Sequence, residues 1–258
     1  ELAAALTATL VGAPDIALGN AVGSNIANLG LILGATALFF ALPATGRFVR
    51  REVAFMVVVT VILYPILATS ARIGRIEGAV LFGVLLLFLY WMLRDPGNQH
   101  TWDVVEGESD SPLWKSSLGV VFGIALLVGG AKALVDGASD IAMVFGVPER
   151  VIGLTLVALG TSLPELAASI AAGRKNQADM VLGNVVGSNI FNLLCILGVT
   201  SMVVPIDVAA DVVRLDFWFM LGMSLLLVVF FGLRGRLSRL EGAVLLALYA
   251  RYTVFLYL

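Results

Sequence analysis

The chain has 258 residues, of which 60% are hydrophobic and only 13% charged, and its mean hydropathy is +1.00. A soluble domain averages about a quarter charged residues, so this composition excludes an ordinary water-soluble globule. A net charge of −2 and the lack of a basic patch with interleaved aromatics exclude a nucleic-acid binder.

In chain order, the first element is an apolar, small-residue segment, 1–34, that carries several polar side chains. It opens on Glu1 with no methionine before it. Apolar runs follow at 54–70 and 79–93; a bilayer core needs about 20 such residues, and the first run spans only with its flanks. Residues 95–111 read DPGNQHTWDVVEGESDS and form the one long polar stretch. The spacing of Asp103, Glu106, Glu108 and Asp110 does not match an EF-hand loop, so this stretch reads as a solvated linker rather than a calcium-sensing loop. His100 lies in it with no metal-ligand partner at a useful spacing. Residues 118–134 are apolar. Residues 151–170 are apolar, then broken by Gly160-Thr161-Ser162-Leu163-Pro164-Glu165, then apolar again. Further apolar runs occupy 217–233 and 242–258. The single cysteine, Cys195, cannot form an internal disulfide.

Residues 1–34 align without a gap to 165–198 at an offset of 164, with 19 of 34 positions identical. Chance similarity of apolar sequence would not preserve polar residues as well as apolar ones. The same offset matches Arg75-Ile76-Glu77-Gly78-Ala79-Val80-Leu81 to Arg239-Leu240-Glu241-Gly242-Ala243-Val244-Leu245 and sets Arg50 and Glu52 opposite Arg214 and Asp216. The chain is therefore a duplication: 1–94, a cytoplasmic linker 95–114, and 115–258. The second copy has a span and a lead-in before Glu165 that the first copy lacks. By symmetry, roughly 45–50 residues precede Glu1 in the intact protein. The expected fold is an all-α membrane protein of two inverted five-helix repeats, with ten spans when intact and about nine visible. An odd number of spans per copy gives the halves opposite orientations. The visible portion is expected not to transport by itself.

Lysine and arginine orient the spans. One set of alternating loops holds Arg47, Arg50, Arg51, Arg94, Lys115, Arg174, Lys175, Arg234, Arg236 and Arg239; the other holds Arg72, Arg75, Arg150 and Arg214. The first set is expected to face the cytoplasm, with Arg72 and Arg75 as exceptions on the far side.

The chemistry lies in the repeated segment. Pro164 has no N–H and clashes with the preceding turn, so the helix around it is kinked or interrupted. Freed carbonyls at membrane depth are tolerated only when buried in protein or lining a cavity, and they are hard oxygen ligands. Glu165 follows the break, and Glu1 holds the same place in the first copy. An ionised carboxylate near the bilayer centre costs about 2.5 kcal/mol or more, and no lysine or arginine lies in 1–34 or 151–170 to pair with it. Inverted copies bring the two glutamates together near the midplane. Ser24 and Asn28, four apart, share a helix face, as do Ser188 and Asn192; their neutral oxygens are further candidate ligands, and Asn20 and Asn184 extend the polar face. Gly19, Gly23, Gly183 and Gly187 read as close-packing positions, and Asn25 and Asn189 as cap or helix contacts. Two carboxylates are neutralised by one Ca²⁺ or two Na⁺, and the lack of His or Cys ligands argues against softer metals.

At these residues the chain resembles the sodium/calcium exchanger family of the cation/calcium antiporter superfamily. The family signature, G-T-S-x-P-E followed by G-N-x-x-G-S-N, stands whole at Gly160–Glu165 and Gly183–Asn189; the first copy retains Glu1 and Gly19–Asn25. The resemblance covers nearly the full chain and is nearest the prokaryotic members. It implies alternating access at a site between the repeats, with Glu1 and Glu165 as central ligands. Ser162, Ser24 and Ser188 are implied to add hydroxyl oxygens, Thr161 and Ala158 backbone carbonyls, and Asn28 and Asn192 to line the middle. Asn192 replaces an aspartate found in many members, including those that also carry potassium, which argues against potassium cotransport. Proton/calcium exchangers usually have G-N-A-x-E instead of G-T-S-x-P-E.

The function expected is exchange of Na⁺ for Ca²⁺, with a proton-driven or broader divalent-cation exchanger as the alternative. No cofactor is expected beyond the transported Ca²⁺ and Na⁺, and no obligate protein partner is evident. The expected location is the inner cell membrane. An enzyme would need a motif such as HExxH or GxSxG, and neither is present. A passive channel would show flux that ignores a sodium gradient.

Overall fold

The computed structural model describes residues 1–10, 14–70, 72–94 and 113–258. His100 and the acidic residues Asp103, Glu106, Glu108 and Asp110 lie outside the described residues, as does all but the end of the predicted linker.

Apolar runs with few breakers become helices, and several contain one widened π turn. In chain order they are α1 (Leu2–Leu10), α2 (Pro14–Ala27), α3 (Leu33–Phe39), α4 (Gly46–Phe48), α5 (Ala54–Ser70), α6 (Arg75–Arg94) and α7 (Leu113–Val144). The second half continues with α8 (Glu149–Ile152), α9 (Ala158–Thr161), α10 (Leu163–Arg174), α11 (Ala178–Phe191), α12 (Leu197–Val203), α13 (Phe217–Arg234) and α14 (Arg239–Leu256). A π segment, Asn28–Ile32, joins α2 to α3 in one column, and Asn192–Ile196 joins α11 to α12 at the offset of 164. Both start on the asparagines that the repeat singles out. Single π turns inside helices recur at functional sites because they re-aim side chains.

Among the described residues, five columns are long and apolar enough to cross a membrane: Asp15–Phe39, Gly46–Thr69, Arg75–Arg94, Ala178–Val203 and Val212–Arg234. The bent pair Arg150–Thr161 and Leu163–Arg174 raises this to six. The expectation of about nine visible spans is thus met by fewer columns on length and composition alone. Helix α1 is only nine residues long, and α14 carries Arg239, Glu241 and Arg251 along its 18 residues. The window of the Asp15–Phe39 column is 78% buried and that of Ala178–Val203 is 67% buried, against 22% for Arg75–Arg94. The two repeat columns are therefore enclosed by protein, and the others shield them from lipid.

The halves interlock by a pseudo-two-fold relation. A two-residue bridge pairs Leu42 with Leu237, and a second pairs Ile73 with Ile206, both antiparallel. Adding 164 to Leu42 and Ile73 gives Ile206 and Leu237, so each bridge is the mate of the other. The first bridge gathers the loops near Arg47–Arg51 and Arg234–Arg239, and the second gathers Arg72 with Asp207. These are the two loop sets that the charge count separated. Arg72, on the unexpected side, forms an ion pair with Asp207 at 3.2 Å.

Glycine allows the helices to approach. A Cβ on Gly34 of α3 would lie 3.0 Å from the Gly242 carbonyl of α14, and one on Gly198 of α12 would lie 3.0 Å from the Gly78 carbonyl of α6. These two crossings are mates at the offset of 164. At Gly23 the fit is tighter, with a Cβ 2.5 Å from the Leu154 carbonyl oxygen and 2.7 Å from its Cα. Backbone cannot yield as a side-chain end can. Gly23→Ala is therefore expected to destabilise by about 1–3 kcal/mol through overpacking. Gly83→Ala, in an open stretch of α6, is expected to be neutral or to stabilise by up to about 1 kcal/mol. Melting temperatures of the two variants in detergent check this.

Candidate cation site between the repeats

The site forms where the bent column α8–α10 meets α2 and α11. Pro164 cannot donate to the Gly160 carbonyl, and the helix axis turns by 43° between Thr161 and Leu163. Ser162 sits at the bend with φ −92° and ψ 1°. The bend is a kink rather than an unwound loop: the Ser162 N–H still reaches the Ala158 carbonyl at 3.0 Å, and Leu166 N–H reaches the Ser162 carbonyl at 3.1 Å.

The predicted residues fall as follows. The Ser162 hydroxyl donates to Glu1 Oε1 at 3.0 Å, and Ser24 and Asn192 also face the Glu1 carboxylate. Glu165 lies near enough to Glu1 for their charges to repel. Among the described residues, neither glutamate pairs with a lysine or arginine side chain. Thr161 is 6% exposed, and its hydroxyl is within reach of Asn20 Oδ1 at 3.0 Å and the Val157 carbonyl at 2.9 Å. The Ala158 carbonyl already accepts from the Ser162 N–H, so a cation would have to share it. Ser188 is half-buried on α11. The Asn28 amide donates to Asn189 Oδ1 at 2.9 Å. The site thus gathers Glu1, Ser24, Ser162 and Asn192 on one side, with Glu165 beside them, while Asn28 is tied into the contact between the halves.

Three oxygens there are buried without a hydrogen-bond partner in the protein: Glu165 Oε2, Asn28 Oδ1 and Asn192 Oδ1. Buried polar oxygens are rarely left so. Among the described residues no group of three or more His, Cys, Asp or Glu side chains could hold a metal ion. The oxygens gathered here, from two carboxylates and neutral side chains, are a donor set that suits hard ions.

Some partners were not evident beforehand. Asn20 and Asn184 do more than widen a polar stripe. Asn20 accepts from Thr161, and Asn184 donates to the Glu165 carbonyl at 3.2 Å and to Ser169 Oγ at 3.1 Å. Each asparagine thereby pins one limb of the kink. Asn25 donates to the Met220 sulfur at 3.6 Å, and Asn189 donates to the Met56 sulfur at 3.6 Å. These contacts are mates at the offset of 164. The signal was present in sequence: Phe55-Met56 and Phe219-Met220 match within otherwise diverged apolar runs. Gly19 and Gly23 pack tightly, and a Cβ on Gly183 or Gly187 would meet nothing within 4 Å among the described residues. Gly19 and Gly23 meet the segment 150–154, and the mate of that segment would fall before residue 1 at the offset of 164.

Asn189→Ala is expected to cost about 1–3 kcal/mol, because it strands the Asn28 amide in a buried setting. Met56→Leu keeps the volume and is expected to cost less than about 1.5 kcal/mol. Thermal unfolding of the purified protein in detergent compares the two.

Comparison with known proteins identifies the family. The family model described as "Sodium/calcium exchanger protein" matches residues 1–94 and 115–258. The "Putative antiporter CaxA" of Alkalimonas amylolytica is 37% identical, over 100% of this chain and 83% of that protein. The inner membrane protein YrbG of Escherichia coli is 35% identical over 88% of this chain and 72% of that protein. Among solved structures, the sodium-calcium exchanger NCX_Mj soaked with Na⁺ and Ca²⁺ superposes with a TM-score of 0.74 at 32% identity, covering 98% of this chain and 80% of that one. The chain is a multi-pass membrane protein with the exchanger fold, and it belongs to the sodium/calcium exchanger family, a family of transporters rather than enzymes.

Proposed function

We propose that this protein exchanges Na⁺ for Ca²⁺ across the inner cell membrane by alternating access, with Glu1 and Glu165 as the central ligands. The observation that carries this reading is the convergence of the two glutamates with no lysine or arginine side chain paired to either among the described residues. Ser24, Ser162, Ser188, Asn28 and Asn192 supply neutral oxygens, and the carbonyls of Thr161 and Ala158 complete the sodium positions. The relatives named as an antiporter and as a sodium-calcium exchanger support the same chemistry.

Exchange follows from charge. Two carboxylates carry −2, and each is costly at membrane depth. One Ca²⁺ cancels that charge, and so do two Na⁺, so either load lets the halves rearrange around a neutral centre. The empty site keeps its buried charge and resists the same rearrangement. The ion sets compete for one pair of carboxylates, which couples their movements. The kink at Ser162 and the pinned limbs on Asn20 and Asn184 form the element that rearranges.

With the intact protein in liposomes, an outward-directed sodium gradient is expected to drive ⁴⁵Ca uptake, and Glu165→Gln is expected to reduce it to background. Uptake that ignores sodium and follows an imposed pH gradient would assign the driving ion to protons instead. Ser162→Ala removes the hydroxyl that orients Glu1. It is expected to raise the Ca²⁺ concentration for half-maximal uptake by roughly 10- to 100-fold, the usual effect of losing a group that orients a ligand.

A further inference from the structure

Where the halves meet, the offset of 164 gives each asparagine a mate, but the hydrogen bonds do not follow it. Asn28 Nδ2, on the Asp15–Phe39 column, donates to Asn189 Oδ1, on the Ala178–Val203 column, at 2.9 Å. Exchanging the halves turns this pair into Asn192 donating to Asn25 Oδ1. That bond is not made: Asn192 Nδ2 and Asn25 Oδ1 are both buried without a partner. All four side chains are at most 1% exposed, so each open group carries the cost of lost hydration with nothing to offset it. Asn20 Nδ2 follows the same pattern. It is unpartnered, whereas its mate Asn184 Nδ2 donates to the Glu165 carbonyl at 3.2 Å.

The surroundings of the four asparagines do obey the offset. Asn189 donates to the Met56 sulfur and Asn25 to the Met220 sulfur, both at 3.6 Å. The π segments begin on Asn28 and Asn192 alike. All four positions are asparagine, so residue type does not explain the missing bond. The difference is one of arrangement. Asn28 is tied to the opposite column, while its mate Asn192 is untied and faces the Glu1 carboxylate. The Oδ1 atoms of Asn28 and Asn192 are both unpartnered, so only the amide nitrogens distinguish the mates. Contacts that served packing alone would close both pairs at once.

We propose that Asn25 and Asn189 are positioning residues that hold the two candidate ligand asparagines by turns. In the observed arrangement Asn189 holds Asn28 and leaves Asn192 free at Glu1. In the mirror arrangement Asn25 holds Asn192 and leaves Asn28 free at Glu165. Each arrangement closes one of the two bonds and opens the other, so neither is favoured by their number. The inference deepens the exchange reading, on which it rests for the second arrangement, and does not depend on which ion drives transport.

The test is NMR of the intact protein in detergent, labelled with ¹³C at the methionine methyl groups, in buffer free of Na⁺ and Ca²⁺. The Met56 and Met220 signals are assigned with Met56→Leu and Met220→Leu. Asn189→Ala removes a bond from the observed arrangement alone and is read at Met220. Asn25→Ala removes a bond from the mirror arrangement alone and is read at Met56. The ratio of observed to mirror arrangement is expected to fall about 5-fold in the first variant and rise about 5-fold in the second, the usual weight of one net hydrogen bond. Asn28→Ala and Asn192→Ala remove the same two bonds from the donor end. They are expected to repeat the two shifts, and they decide the matter if an acceptor variant does not fold. Shifts of one sign in both halves, or signals unchanged in every folded variant, would overturn the proposal in favour of static packing. With no transported ion present, that failure would leave the ion assignment standing. Calcium uptake driven by a pH gradient would in turn leave the alternation standing.

Discussion

Two carboxylates, one from each half of a duplicated chain, converge without a lysine or arginine side chain paired to either among the described residues. Ionised groups of one sign cannot stay together in a low-dielectric interior unless something of opposite charge joins them. Ser162 holds one of them, and Asn192 and Ser24 face it, but these groups are neutral and remove no charge. The surrounding architecture serves to hold this imbalance: enclosed repeat columns, a kink at Pro164, and asparagines that pin both limbs of the kink.

Inversion of the repeat is what brings the glutamates together. Each copy alone places its acidic residue on one side of a small-residue helix. The mate contacts then close the interface at several levels. Bridges join Leu42 to Leu237 and Ile73 to Ile206, glycine crossings join α3 to α14 and α6 to α12, and thioether contacts join Met56 to Asn189 and Met220 to Asn25. Because each of these contacts recurs under the same offset, a change in one of them has a counterpart available in the other half. That near-degeneracy suits a protein that must reach two related arrangements.

The symmetry also marks what is specific to each half. Arg150 engages Asp211 and Asp216 in the second half, whereas the corresponding segment of the first half gathers three arginines beside Trp91.

The duplication, the helical class, the kink at Pro164 and the two glutamates were legible in the amino-acid sequence, because each rests on local rules. Apolar length demands helices, proline removes a donor, and a constant offset of 164 survives divergence. The loop charge count likewise separated two sets that the bridges gather on opposite sides. What only the tertiary structure decided were pairings across the two-fold: Asn189 with Asn28 and Met56, Asn20 with Thr161, and the ion pair that explains Arg72. It also showed that Gly19 and Gly23 pack against the backbone of 150–154. Those facts depend on which faces of distant helices meet, and a linear pattern records a helix's periodicity without recording its neighbour.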